Sequence, residues 1–153
     1  MHLALYQPDI PQNTGTLIRL GACLGVPIDI VEPCGFVFSD ARLRRAGMDY
    51  LDQVRLTRHV FWREFEQWRR GAGHRLVLFT TGATASYLDH TYRDDDILMF
   101  GRESAGVPPD VHQAADARLV IPMRPGLRSI NVAMTAAMAI GEAMRQTTGL
   151  RYE

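Results

Sequence analysis

Apolar positions along the chain fall into short continuous runs, separated by stretches in which they recur every three or four residues. This is the alternation of buried strands with amphipathic helices. Residues 2–6 form the first run, closed by Pro8 and Pro11. A helix then opens around Asn13-Thr14-Gly15-Thr16, with Asn13 or Thr14 as N-cap, an apolar stripe at Leu17, Leu20 and Leu24, and Gly25 as its stop. Residues 26–32 predict a second strand, ended by Pro33 and Gly35. Ser39 and Asp40 cap a short arginine-rich helix that runs to Ala46. Residues 54–59 predict a third strand, and residues 61–70 a helix with Phe61, Phe65 and Trp68 on one side. A strong strand at 75–81 is followed by a polar, irregular stretch at 83–95 and a fully apolar strand at 97–100. Residues 108–115 predict a short helix with proline near its start, where it is tolerated. Residues 118–121 form the last strand and residues 131–146 the last helix.

Strands and helices alternate throughout, which predicts an α/β fold with a mainly parallel sheet flanked by helices. The 153 residues suit a single domain with its own core, and no linker, repeat or low-complexity stretch divides residues 1–153. In the last helix Ala133, Ala136, Ala137, Ala139, Gly141 and Ala143 nearly encircle the axis. Plain helix propensity and close approach of a neighbour, internal or across a dimer, both account for this.

Composition narrows the function classes. No apolar run approaches the roughly 18–20 residues of a membrane span, and the N-terminal residues lack the basic segment of a signal peptide, so the expected location is cytoplasmic. Cys23 and Cys34 outline neither a disulfide scaffold nor a zinc site, and the five histidines show no ligand spacing such as H-x-x-x-H; no metal is expected. The net charge is zero, which argues against a non-specific electrostatic binder of nucleic acid. All 17 basic residues are nevertheless arginine, the side chain that grips phosphate bidentately. Arg42, Arg44 and Arg45 form one cluster, Arg124 and Arg128 another. The absence of lysine excludes a P-loop, and no G-x-G-x-x-G follows the first strand.

Two loops carry the candidate chemistry. One is Phe100-Gly101-Arg102-Glu103-Ser104-Ala105-Gly106-Val107-Pro108; the other is Ile121-Pro122-Met123, followed by Arg128-Ser129-Ile130-Asn131. Each follows an apolar strand and precedes a helix, the arrangement that holds small ligands at the carboxyl ends of α/β strands. Arg102-Glu103-Ser104-Ala105-Gly106 narrowly misses the nucleophile elbow G-x-S-x-G, and Pro108-Pro109 delays the helix an elbow requires; this weighs against a serine hydrolase. A non-catalytic nucleotide- or RNA-binding module remains an alternative. Ser129 and Asn131 also fit as helix caps.

Three segments, in order, resemble the SPOUT superfamily of RNA methyltransferases: Asn13-Thr14-Gly15 with Arg19; Gly101-x-Glu103-x-x-Gly106-Val107; and Ile121-Pro122-Met123 followed by Ser129-x-Asn131. Spacing is similar to the branch that methylates ribose 2′-hydroxyls. Leu5-Tyr6-Gln7-Pro8, Ile30-Val31-Glu32-Pro33 and Leu43-Arg44-Arg45-Ala46-Gly47-Met48-Asp49-Tyr50 look closest to the tRNA wobble-position (cytidine/uridine-34) 2′-O-methyltransferases, over about residues 3–147. Arg102 departs from the pattern, where proline is common, as does Ile130, where Leu or Met is common.

The resemblance implies a C-terminal deep trefoil knot, S-adenosylmethionine as cofactor, a homodimer, and the tRNA anticodon stem-loop as partner, held by the dimer surface without an RNA-binding extension. It assigns catalysis to Arg19, Glu103, Ser129 and Asn131, and the cofactor to Phe79, Thr80, Gly101, Ile121, Met123 and Ser129. Asn13, Arg42, Arg44, Arg45 and Arg128 are the expected RNA contacts. Arg19 is an awkward base, since a guanidinium stays protonated to a pKa above about 12; stabilising a developing alkoxide suits it better. Glu103 is expected to orient Arg19 or a substrate group. Another tRNA or rRNA 2′-hydroxyl remains an alternative target.

Overall fold

The computed structural model describes residues 1–39 and 41–147. Its elements follow the predicted order: β1 (His2–Tyr6), α1 (Pro11–Leu24), β2 (Ile28–Val31), α2 (Ala41–Gly47), a 3-10 turn (Met48–Gln53), β3 (Leu56–His59), α3 (Trp62–Gly71), β4 (Arg75–Phe79), β5 (Asp96–Phe100), α4 (Pro109–Ala114), β6 (Ala117–Leu119) and α5 (Val132–Gln146). Asp40, expected at the cap of the arginine-rich helix, lies outside the described residues.

The six strands form one sheet in the order β3-β2-β1-β5-β4-β6, with every neighbouring pair parallel. Alternate side chains divide between two cores. Leu3, Leu5, Ile28, Ile30, Val77, Phe79, Leu98 and Phe100 share one with Leu17 and Ile18 of α1, Leu43 of α2, and Ala136, Ala139 and Ile140 of α5. Ala4, Tyr6, Val31, Leu76, Leu78, Ile97 and Met99 share the other with Phe65 of α3 and Val111 of α4. Cover on both faces is why these strands read as unbroken apolar runs.

Two helix starts differ from expectation. α1 begins at Pro11, not at a cap on Asn13 or Thr14; Ile10 is the extended residue before it and makes no side-chain cap bond. Proline in the first turn gives up only an N–H that has no helical partner anyway. Thr14 is buried inside the helix, and Asn13 turns to the loops described below. α3 begins at Trp62, so Phe61 becomes the extended cap residue and is 54% exposed. Its inward side is Trp62, Phe65 and Trp68. β2 and β6 are shorter than predicted, ending at Val31 and Leu119.

Small residues set the helix spacing. A Cβ on Gly15 would lie 2.5 Å from Cβ of Ala46 and 2.8 Å from the Leu43 carbonyl oxygen, so glycine there permits the α1–α2 contact. Ala133, Ala136, Ala139 and Ala143 are buried on the inner side of α5, while Met134 and Met138 are 63% and 41% exposed on its outer side. A buried polar cluster ties three strands: Asp29 accepts from His2 Nδ1 at 2.7 Å and from His59 Nε2 at 2.8 Å. Burial alone would raise the Asp29 carboxyl, but its hydrogen bonds and charge interactions with the two imidazoles hold it below the ordinary carboxylate range. No helix among the described residues is long and apolar enough to cross a membrane.

Candidate active site

A cleft of about 530 Å³ opens at the carboxyl ends of β4, β5 and β6, beside the start of α1. That volume lies in the ligand-pocket range. Phe79 and Phe100, register partners on β4 and β5, line it with their rings stacked 4.9 Å apart. Val107, Leu119, Ile121 and Met123 add apolar surface, and Thr80, Thr81, Ser104, Ser129 and Thr135 add polar groups.

The β5–α4 loop turns back on itself. Arg102 N–H donates to the Gly106 carbonyl at 3.0 Å, and Gly106 N–H returns to the Arg102 carbonyl at 2.7 Å. Gly106 has φ +65°, and a Cβ on Gly101 would lie 2.7 Å from the Gly106 backbone. The turn therefore requires glycine at both places. The departure at Arg102 has a structural use: proline there could not donate the N–H. The Arg102 guanidinium also reaches the Gln7 carbonyl at 3.3 Å and Gln7 Oε1 at 2.5 Å, joining this loop to the one after β1.

At the rim three predicted residues meet. Asn131 caps α5, its Oδ1 accepting from Ala133 N–H at 2.9 Å and Met134 N–H at 3.4 Å. Its Nδ2 donates to Asn13 Oδ1 at 3.0 Å, and Asn13 Nδ2 points to Glu103 Oε1 at 3.5 Å. Glu103 Oε2 accepts from Asp9 N–H at 3.0 Å. Burial raises the Glu103 carboxyl, and the adjacent Asp9 carboxyl raises it further. Between the two expected caps, Asn131 serves and Ser129 lines the cleft instead.

Phe79, Thr80, Gly101, Ile121, Met123, Ser129, Glu103, Asn131, Asn13 and Arg128 all line this cleft. Arg19 does not. It is exposed on α1, with its guanidinium 5.0 Å from the centre of the Tyr50 ring. Helix geometry explains the separation, since six residues advance about 9 Å along the axis and about 240° around it from Asn13. Glu103 thus holds Asp9 and Asn13 within this chain, not Arg19. Arg42, Arg44 and Arg45 are exposed on α2, outside the cleft. Asp9 also belongs to the site, though in the sequence it shows only as a charge between the strand-ending prolines Pro8 and Pro11.

Residues 1–141 match the SpoU rRNA methylase family. The chain is 62% identical over 148 residues to a tRNA (cytidine(34)-2′-O)-methyltransferase of Beijerinckia indica subsp. indica, covering 97% of this chain and 92% of the relative. A solved structure described as giving insights into the 2-OH methylation of C/U34 on tRNA superposes with a TM-score of 0.89 at 40% identity, covering 95% of this chain and 94% of that one. The SpoU methyltransferase AviRb of Streptomyces viridochromogenes, solved with the cofactor AdoMet, superposes with a TM-score of 0.86 at 25% identity, covering 95% of this chain and 57% of that one. On the match of its sequence from end to near end, the chain belongs to the SpoU methylase family.

Proposed function

We propose that this chain transfers the methyl group of S-adenosylmethionine to the ribose 2′-hydroxyl of the wobble nucleotide, cytidine or modified uridine at position 34, in tRNA. One observation carries the reading. The end of β4 with the loop after it, the loop at 101–107, and the loop after β6 with the start of α5 converge on one cleft, in a chain 62% identical to a relative named for that reaction.

The cleft suits the cofactor. Stacked Phe79 and Phe100 with Leu119 and Ile121 offer an apolar bed for a purine, and the turn that closes too tightly for a Cβ on Gly101 lines the same cleft with backbone. Phe79, Thr80, Gly101, Ile121, Met123 and Ser129 would hold it. Bound there, S-adenosylmethionine supplies an electrophilic sulfonium methyl. The protein's part is to place the ribose oxygen in line, worth up to roughly 7–11 kcal/mol in ideal cases, and to ease loss of the hydroxyl proton. Asn13, Glu103 and Asn131 form the rim against which the ribose would sit. No metal is needed.

Arg19 remains the residue for the developing alkoxide, which its permanent positive charge stabilises. Its position on α1 supports a homodimer in which a second copy brings its own Arg19 to this cleft. The exposed Met134 and Met138 on α5 offer an apolar face for that contact. Arg42, Arg44, Arg45 and Arg128 would meet phosphates of the anticodon stem-loop. One domain spanning residues 1–153 does all of this, in the cytoplasm where its substrate is. We further read the C-terminal part as a deep trefoil knot. Val120 is bracketed by Ala85 and Tyr87 through backbone bonds of 2.9 and 3.0 Å, and Gln146 of α5 bonds to His90 and Tyr92, each at 3.0 Å. Both contacts support passage of the chain through the 80–95 loop.

The test is mass spectrometry of tRNA nucleosides from cells with and without the gene. The 2′-O-methyl group at position 34 is expected to disappear with the gene. Loss of a ribose methyl elsewhere would move the target, and loss of none would end the substrate assignment.

A further inference from the structure

The donors along the cleft rim all point one way. Ala133 N–H donates to Asn131 Oδ1, Asn131 Nδ2 to Asn13 Oδ1, and Asn13 Nδ2 to Glu103 Oε1. An aligned chain of this kind polarises toward its last acceptor, here the Glu103 carboxyl. That carboxyl also accepts the Asp9 N–H at 3.0 Å, which brings a second carboxyl, that of Asp9, beside the first. Asp9 Oδ2 accepts from Ser104 Oγ. Asp9 Oδ1 is buried and no donor reaches it. Two neighbouring carboxylates, one with a buried oxygen that lacks a donor, are a costly arrangement that one shared proton resolves. Asp9 is also pinned from behind: a side chain on Gly35 would meet Asp9 Cβ at 2.6 Å.

Resting on the methyl-transfer reading, we propose that Asp9 is a positioning residue. It shares one proton with Glu103, and this bridge locks the loop after β1 to the β5–α4 loop, holding the Asn13–Asn131 chain at the rim. Arg102 of the β5–α4 loop faces Asp9. Cys34 of the β2–α2 loop stands near both Glu103 and Glu32, and Glu32 pairs with Arg58 of β3. The proton resides mainly on Glu103. Burial favours it there and Asp9 adds to the effect; at Asp9, hydrogen bonds from Glu103 and Ser104 outweigh burial and keep that carboxyl ionised. The bridge is intact below the titration of the pair and is lost as pH rises through it, when two adjacent negative charges repel.

The test uses the chain without cofactor or RNA, reading the Glu103 carboxyl by ¹³C NMR and amide exchange of residues 101–106 after correction for intrinsic rates. In the wild type, Glu103 titrates above the ordinary glutamate range, and exchange quickens as that proton leaves. Asp9→Asn keeps a hydrogen in the gap without a titrating proton, so Glu103 returns toward the ordinary range and exchange becomes independent of pH. Below the titration of the pair, where the bridge is intact, Asp9→Ala speeds exchange about tenfold and lowers methyl transfer about tenfold, while Asp9→Asn restores both. Unchanged Glu103 titration in Asp9→Asn, or wild-type exchange in Asp9→Ala, overturns the proposal. These measurements need no substrate, so a wild-type chain that fails to methylate tRNA would count against the tRNA reading alone.

Discussion

Asn131 donates from Nδ2 to Asn13 Oδ1 at 3.0 Å, joining the beginnings of two helices 118 residues apart in the chain. The same side chain caps α5 through Oδ1, so its two ends do separable work. Asn131→Ala removes both and is expected to cost about 1 kcal/mol from the lost cap. Asn131→Asp keeps an oxygen for the cap but cannot donate to Asn13. Thermal unfolding should place Asn131→Asp near the wild type and Asn131→Ala about 2–4 °C lower. Methyl transfer should fall at least about tenfold in both.

The turn at Gly101 tolerates no side chain. A Cβ there meets the Gly106 backbone at 2.7 Å, and backbone in a closed turn does not yield as a flexible side chain would. Gly101→Ala is expected to destabilise by about 1–3 kcal/mol and to abolish measurable S-adenosylmethionine binding by calorimetry. Wild-type affinity in this variant would remove the turn from the cofactor site.

Met138, 41% exposed on α5, tests the dimer. Met138→Glu places a charge on the apolar face and should yield a monomer in sedimentation equilibrium. Because Arg19 is assigned to the partner's cleft, that monomer should bind S-adenosylmethionine but transfer no methyl. A monomer that remains fully active would return catalysis to a single chain.

Asp29 links pH to stability. Asp29→Ala leaves buried His59 Nε2 and part-buried His2 Nδ1 without their acceptor, an expected loss of about 1–3 kcal/mol for each buried group so orphaned. The folded carboxyl titrates below its unfolded value. Its contribution is therefore full above the ordinary carboxylate range and disappears as pH falls through the folded value. Urea unfolding should show the gap between wild type and Asp29→Ala wide at neutral pH and narrowing in acid.

The element order was legible because parallel strands covered on both faces leave unbroken apolar runs, such as Ile97 to Phe100. Helix starts were less so. Pro11 reads equally as a strand terminator or a first-turn residue, and Phe61 differs from Trp62 only by one step of helix phase. The residues of the cleft were legible through their motifs, but their joining was not. Asn13, Glu103 and Asn131 meet across separations of 90 and 118 residues, and no periodicity encodes such contacts. Arg19 shows the converse: a motif groups it with Asn13, while the turn of α1 carries it to another face.

The most direct measurement is transfer of labelled methyl from S-adenosylmethionine by the purified chain to two tRNAs, identical except that one lacks the 2′-hydroxyl at position 34. Label is predicted on the wobble ribose of the first tRNA and nowhere on the second. Equal labelling of both, or none of the first, would contradict the account.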